Sequence, residues 1–308
     1  MADIALRFFK DMLVVASPVQ AALRRQGIED ARDQALAVLL EPETIEDAYR
    51  LETAAGPQCL VAPVADFAPA RLTALGMEDA AEKLARAAVA IPRSFKPQHL
   101  LVEIAPCGLP LDPSSKGSLV ENRDQYARAA SLFGPADFDA FFLNGFTTVD
   151  DLKCALMGLR KVSDAPVFAS VDVTAGGMLA SGRGTLASGR GTLAEAVAVM
   201  AEFGASVAGF ATLSAPADAA ALAATVRETL GTQGADLCIM ATLAVRDRND
   251  RRQGPTPENP YYVPDTMVAA AADLRAAGVQ FLRAAGNATP AYTGVLAAAV
   301  AGQDVAVE

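Results

Sequence analysis

The stretch Glu202-Phe203-Gly204-Ala205-Ser206-Val207-Ala208-Gly209-Phe210 ends one sequence pattern and starts another. Up to Phe203 the chain is rich in Ala and Val with a helical period. Gly204 stops that pattern, and after two more residues a short, continuously apolar run opens. This is how a helix exits into a strand buried on both faces. The same unit recurs as AAGPQCLVA from Ala54 to Ala62 and as AAGVQFLRA from Ala276 to Ala284. Followed outward, the alternation predicts strands from Met12 to Ala16, Gln58 to Val64, Leu100 to Ala105, Phe138 to Asn144, Pro166 to Asp172, Ser206 to Thr212, Asp236 to Thr242 and Val279 to Ala284. Helices are predicted from Pro42 to Ala55, Asp79 to Ile91, Val120 to Phe133, Val149 to Val162, Leu193 to Phe203, Pro216 to Leu230, Asp265 to Ala277 and Pro290 to Ala301. Their entries follow Pro or a capping side chain, and their exits reach Gly56, Gly134, Gly204 and Gly278. Eight such units with right-handed crossovers predict an α/β fold, a single-domain (β/α)8 TIM barrel over residues 1–308. An open doubly wound sheet is the competing arrangement.

Composition narrows the function classes. The 308 residues are 52% hydrophobic and 20% charged, with no Trp, so an aliphatic core is expected. A net charge of -10 gives no broad positive field for a phosphate backbone, which argues against nucleic acid as a partner. Arg246, Arg248, Arg251 and Arg252 form a basic cluster interleaved with acids; it reads as a solvated loop, the alternative being a contact to an anionic ligand. Cys59, Cys107, Cys154 and Cys238 have no short Cys-x-x-Cys spacing and are expected to be buried free thiols. Neither a leader pattern at Met1 nor a membrane-length apolar stretch is visible, so a cytoplasmic protein without membrane association is expected.

Barrel enzymes work at the carboxyl ends of their strands, and the irregular stretches Pro106 to Leu119, Thr174 to Thr192 and Ala244 to Pro264 follow strands there. The second of these contains a tandem repeat, LASGRGT at Leu179 to Thr185 and again at Leu186 to Thr192. It reads as a duplication in a tolerant surface loop, with a phosphate or pterin cradle as the alternative. His99 is the one histidine and lies at the opposite end, which excludes Ser-His-Asp and Cys-His catalysis and points to a structural role. Candidate ligand-contacting residues at the functional end are Asn144, Asp172, Thr212, Arg283 and Asn287. Asp172 could act as a base or hold a ligand amine, or could bond its own loop. Arg283, inside a strand, requires a carboxylate partner or a bound anion if it points inward.

From Gly27 onward the stretches LLEPETIEDAYRLETAAGPQCLVAPVADF, ARLTALGMEDAAEKLARAAVAI, LLVEIAPCGLPLDP, APVFASVDV, ASVAGFATLSAP and AAGVQFLRAAGNATPAYTGVL resemble, in order and spacing, the homocysteine S-methyltransferase domain. That domain occurs in cobalamin-dependent methionine synthase and betaine-homocysteine methyltransferase. The resemblance implies a (β/α)8 barrel that binds homocysteine as a thiolate on zinc and receives a methyl group from a corrinoid, betaine or a sulfonium donor. Zinc is expected for the family because a free thiol is mostly protonated at neutral pH and coordination deprotonates it. The family's three zinc cysteines correspond here to Thr212, Ala285 and Gly286, so no soft ligand is present and no cofactor is expected. The family's turn after the first strand corresponds to Ala16 to Ala21, and its Ile-Glu-Thr after the fourth to Leu143, Asn144 and Gly145.

These departures imply a divergent member without zinc-activated thiol chemistry. It would serve another methyl-transfer step in methionine-related one-carbon metabolism, or dock on a corrinoid or folate methyltransferase partner protein. The other readings are a non-catalytic small-molecule binder using Arg283, Asn144 and Asp172, and a homocysteine methyltransferase with an atypical metal site.

Overall fold

In the computed structural model, which describes residues 3–182, 188–245 and 263–306, all eight predicted strands form. They are β1 (Leu13–Val15), β2 (Cys59–Val61), β3 (His99–Ile104), β4 (Ala140–Phe146), β5 (Val167–Val173), then, after a short hairpin of β6 (Met178–Ala180) and β7 (Ser188–Thr192), β8 (Val207–Thr212), β9 (Cys238–Val245) and β10 (Phe281–Gly286). The eight long-range pairings are parallel and run β1–β2–β3–β4–β5–β8–β9–β10 and back to β1. The sheet is therefore a closed barrel, and the open doubly wound alternative is excluded. Closure removes the sheet edges.

The predicted helices correspond to α3 (Pro42–Ala55), α5 (Ala81–Ser94), α6 (Lys116–Ser131), α7 (Val149–Arg160), α8 (Leu193–Glu202), α9 (Pro216–Gln233), α10 (Thr266–Ala276) and α11 (Pro290–Val300). Pro leads α3, α9 and α11, and Ser115, Thr148 and Thr192 cap α6, α7 and α8 through their side chains. Three helices were not predicted: α1 (Val19–Arg25), α2 (Ala31–Leu40) and α4 (Pro69–Leu75). The first two intervene between β1 and α3, and they build one wall of the site described below.

Side chains alternate between two cores. Leu13, Val15, Val61, Leu101, Phe142, Phe168, Val207, Met240 and Phe281 fill the barrel interior, while Val14, Leu60, Leu100, Phe141, Ala208 and Leu282 face the helices. A 3-10 turn at Ile4–Arg7 closes the amino-terminal end of the barrel. There Phe8 meets Phe168 and Phe281 edge-on at 6.2 and 6.1 Å, and those two rings lie 4.7 Å apart. His99 begins β3 at this same end, buried, with Nδ1 3.6 Å from Asp139, in keeping with a structural place.

The stretch predicted as an irregular loop after β5 contains the β6–β7 hairpin, and the tandem repeat falls on it. Leu179 and Ala180 of the first copy lie in β6, the second copy supplies β7, and residues 183–187 lie outside the described residues. The hairpin base is held by Leu193 N donating to Gly177 O at 2.8 Å. Thr192 ends the second copy and closes a capping box with Glu195. Deleting residues 186–192 places an identical Thr before Leu193. That deletion is expected to keep the α8 cap and to move the melting temperature by no more than about 3 °C. Thermal denaturation followed by circular dichroism checks this, and loss of the cooperative transition would contradict it.

Candidate functional site

A cavity of about 510 Å3 opens at the carboxyl end of the barrel, where barrel enzymes place their chemistry. Much of its floor and wall comes from inward positions near the carboxyl ends of β3, β4, β5, β8, β9 and β10. Leu101, Phe142, Phe168, Met240 and Phe281 face the interior, so two residues further on Glu103, Asn144, Ser170, Thr242 and Arg283 face it too. The barrel is thus apolar below and polar at the mouth.

Arg283 and Glu103 are the centre of that polar layer. Arg283 is 1% exposed, its Nη2 lies 3.4 Å from Glu103 Oε2, its Nε donates to Ala16 O at 3.1 Å, and its guanidinium sits 5.0 Å over the Phe142 ring. Glu103 Oε1 also accepts a 2.9 Å hydrogen bond from Asn144 Nδ2. The carboxylate partner that Arg283 requires is therefore Glu103, three strands away around the ring. An ion pair this deep persists because hydrogen bonds offset part of its desolvation. Asn144 reaches it through an irregularity: β4 spends three residues from Leu143 to Phe146 against two on β5, with Gly145 at φ 81°. A bulge of this kind re-aims the side chain beside it.

Of the five candidates read from the sequence, Asn144, Asp172, Thr212 and Arg283 line the cavity and Asn287 does not. Asn287 follows Gly286, whose φ of 70° turns the chain away, and its backbone N–H is tied to Val245 O at 2.8 Å. Thr212 shares the outward face of Ala208 and Phe210, and its hydroxyl bonds Ser214 Oγ at 2.8 Å, so Ala211 is the inward residue of β8. Glu103 was not among the candidates. A lone acid two residues after Leu101 in an apolar strand was the available signal. Gln20 and Arg24 of α1 also line the cavity. Gln20 donates to Pro63 O at 2.9 Å and Arg24 to Gly286 O at 3.3 Å, so α1 bridges from the β2 end to the β10 end of the mouth. The basic cluster Arg246, Arg248, Arg251 and Arg252 lies outside the described residues.

Behind that wall is a second buried cluster. Glu52 of α3 accepts from Thr293 Oγ of α11 at 2.9 Å and from Ser17 N at 3.3 Å, and Ser17 Oγ lies 2.7 Å from Thr293 Oγ. Burial pushes the Glu52 carboxyl up to about 7, against the pull of the Thr293 and Ser17 hydrogen bonds and of the Arg283 and Arg25 charges.

The four cysteines are free and buried, and none lines the cavity. Cys59 and Cys238 belong to the barrel interior, and burial raises both thiols, Cys238 to about 12. Burial also raises Cys107, whose Sγ donates to Asn122 at 3.1 Å and whose backbone N donates to the Tyr126 hydroxyl. Among the described residues no group of three His, Cys, Asp or Glu side chains is placed to hold a metal ion. The zinc expected from the family resemblance does not fit the residues present. Thr212 is engaged with Ser214, Ala285 offers no donor, and a Cβ at Gly286 would overlap the carbonyl oxygen of Val245.

Comparison with solved structures finds the same architecture. The crystal structure of the homocysteine methyltransferase MmuM from Escherichia coli in its metallated form superposes with a TM-score of 0.71 at 16% sequence identity, covering 96% of this chain and 98% of that one. Its apo form gives 0.64 at 15%, covering 94% and 96%. The carboxyl transferase domain from Rhizobium etli pyruvate carboxylase gives 0.54 at 16%, covering 99% of this chain and 46% of that one. The likeness is one of fold. No protein-family model matches the sequence, and no curated protein matches it. No helix among the described residues is long and apolar enough to cross a membrane.

Proposed function

We propose that this protein is a divergent homocysteine S-methyltransferase-like barrel that acts on a small metabolite at its mouth without zinc-activated thiol chemistry. The observation that carries this is the cavity wall itself. Thr212, Ala285 and Gly286, the positions where the family resemblance calls for zinc cysteines, all line the cavity and supply no thiolate. A scaffold kept over nearly its whole length, with a cavity of metabolite size retained, supports a rewritten site more than an abandoned one. In this reading the protein works in the cytoplasm in methionine-related one-carbon metabolism, either transferring a methyl group itself or serving a corrinoid or folate methyltransferase as a partner.

A non-catalytic binder is the second reading, favoured by the mutual engagement of Arg283, Glu103 and Asn144. Three measurements separate these two readings from an ordinary zinc-dependent homocysteine methyltransferase. Protein purified with zinc present is expected to hold less than about 0.1 zinc per chain, as soft ligands are absent; one tightly held zinc restores the ordinary homocysteine methyltransferase. A thermal-shift series with homocysteine, methionine, betaine, folates and sulfonium compounds then identifies a ligand, which stabilises by about 2.7 kcal/mol at a hundredfold excess over Kd. Methyl transfer to or from that ligand marks the enzyme, and binding without transfer marks the binder.

A further inference from the structure

The polar layer at the barrel mouth contains a hydroxyl that the protein leaves unused. Thr242 of β9 lines the cavity and is 1% exposed, and its Oγ has no hydrogen-bond partner. Ser170 of β5 is also fully buried with an unpartnered hydroxyl, but it does not line the cavity. Thr242 lies in register between Ala211 of β8 and Arg283 of β10, and one inward step higher Ala244 pairs with Ala285. On this side of the mouth the inward residues are therefore Ala211, Ala244 and Ala285 around Thr242. On the other side they are Glu103, Asn144 and Asp172.

That arrangement has physical consequences. Three Ala side chains where a barrel ordinarily packs branched residues leave a hollow with aliphatic walls. No aromatic ring is found among the described residues lining the cavity, so these walls offer no stacking surface for a planar heterocycle and no aromatic cage for a quaternary ammonium. A buried hydroxyl without a partner is unfavourable, and the natural partner for one on a cavity floor is the occupant of the cavity. The Thr242 oxygen is covered. A turn of χ1 by about 120° carries the oxygen to the place of a neighbouring Cβ substituent, the movement by which the hydroxyl would meet a ligand in the hollow.

We propose that Thr242 is the ligand-anchoring residue of the barrel mouth, hydrogen-bonding an alcohol or amine group of a compact aliphatic metabolite whose hydrocarbon part fills the hollow formed by Ala211, Ala244 and Ala285. This rests on the reading of the mouth as the ligand site, and the variants are chosen to separate the two. Thr242→Val keeps the shape and removes the hydroxyl, Ser170→Ala removes the comparable hydroxyl off the cavity, and Ala244→Leu fills the hollow. Without ligand, Thr242→Val and Ser170→Ala are both expected to melt about 2 °C or more above the wild type, because each removes an unpartnered buried hydroxyl.

The wild-type protein is then titrated with threonine, homoserine, 2-aminoethanol, 1,3-propanediol and 3-hydroxybutyrate, with folic acid and adenosine as planar comparators. At least one aliphatic compound is expected to bind. Thr242→Val should weaken it about tenfold, the worth of one hydrogen bond left unmade, while Ser170→Ala leaves it unchanged and Ala244→Leu abolishes it. Unchanged affinity in Thr242→Val with loss in Ala244→Leu removes Thr242 from the site and leaves the site standing. Unchanged affinity in both removes the site. Binding of folic acid or adenosine in place of every aliphatic compound, or no binding from the aliphatic series, overturns the ligand class.

Discussion

Replacing Gly286 with Cys is expected to lower the melting temperature by about 6 °C or more, from strain of about 3 kcal/mol. Gly286 has a φ of 70°, which a side chain strains, and it ends β10 in parallel register with Val245. A Cβ at this position would overlap the Val245 carbonyl oxygen. That oxygen cannot retreat freely, because it accepts the Asn287 N–H at 2.8 Å, and Gly286 O is itself held by Arg24. Ala285→Cys, one residue earlier with a side chain in the cavity, is expected to melt within about 2 °C of the wild type. Thermal denaturation of the two variants makes the comparison, and equal melting temperatures would refute the argument. A consequence follows for the metal: installing cysteines together at Thr212, Ala285 and Gly286 is expected not to create a zinc site, because the strand pairing itself excludes the third side chain.

The second large effect is on pH dependence. Desolvation holds the Glu52 carboxyl near 7, against an ordinary value of 4.5. The folded state thus prefers the protonated acid. The stability from that preference is present in full below about 4.5 and is lost as pH rises through about 7, a swing on the order of 3 kcal/mol. Glu52→Gln keeps an acceptor for the Thr293 hydroxyl and the Ser17 N–H and carries no charge. The variant is expected to lose the wild type's decline between pH 5 and pH 8, and to be the more stable of the two at pH 8. Urea unfolding across that range gives the answer, and parallel pH curves for the two proteins would sink the assignment. Burial raises Asp151 with the same sign, so the comparison is between wild type and variant and not between pH values alone. Asp11, held low by its hydrogen bond to Arg7, and Asp139, held low against its desolvation by the nearby His99 and by bonds from Leu100 and Arg93, act in the opposite sense and only at more acid pH.

Much of the barrel was legible because its signals are local. A strand buried on both faces is a short apolar run wherever its neighbours lie, and Gly204, Gly56 and Gly278 mark helix exits within a window of a few residues. Two of the helices that were missed are short, and the third, α2, spans ten residues behind an Asp30 cap that the sequence reading passed over. Helix α1 starts at a Pro without a side-chain cap, and α1 and α4 span seven residues each, too short to display a period. Asn287 was placed with the site because it follows the last strand, whereas the turn at Gly286 carries it away.

By itself the sequence determined the order of the eight barrel strands and of the helices that follow them, a mainly aliphatic core, the end of the barrel that carries polar side chains, and the absence of a thiol at Thr212, Ala285 and Gly286. Only the tertiary structure decided which polar groups are partners. Glu103 and Arg283 are 180 residues apart, and Glu52 and Thr293 are 241 apart. Closure of the ring brings the first pair together, and the packing of α11 beside α3 brings the second. The overlap at Gly286 likewise depends on the register of β10 against β9. Periodicity shows which face of a strand or helix a side chain occupies. What stands opposite that face is set by the pairing of elements distant in sequence, and so is the burial that raises Glu52 and leaves the Thr242 hydroxyl without a partner.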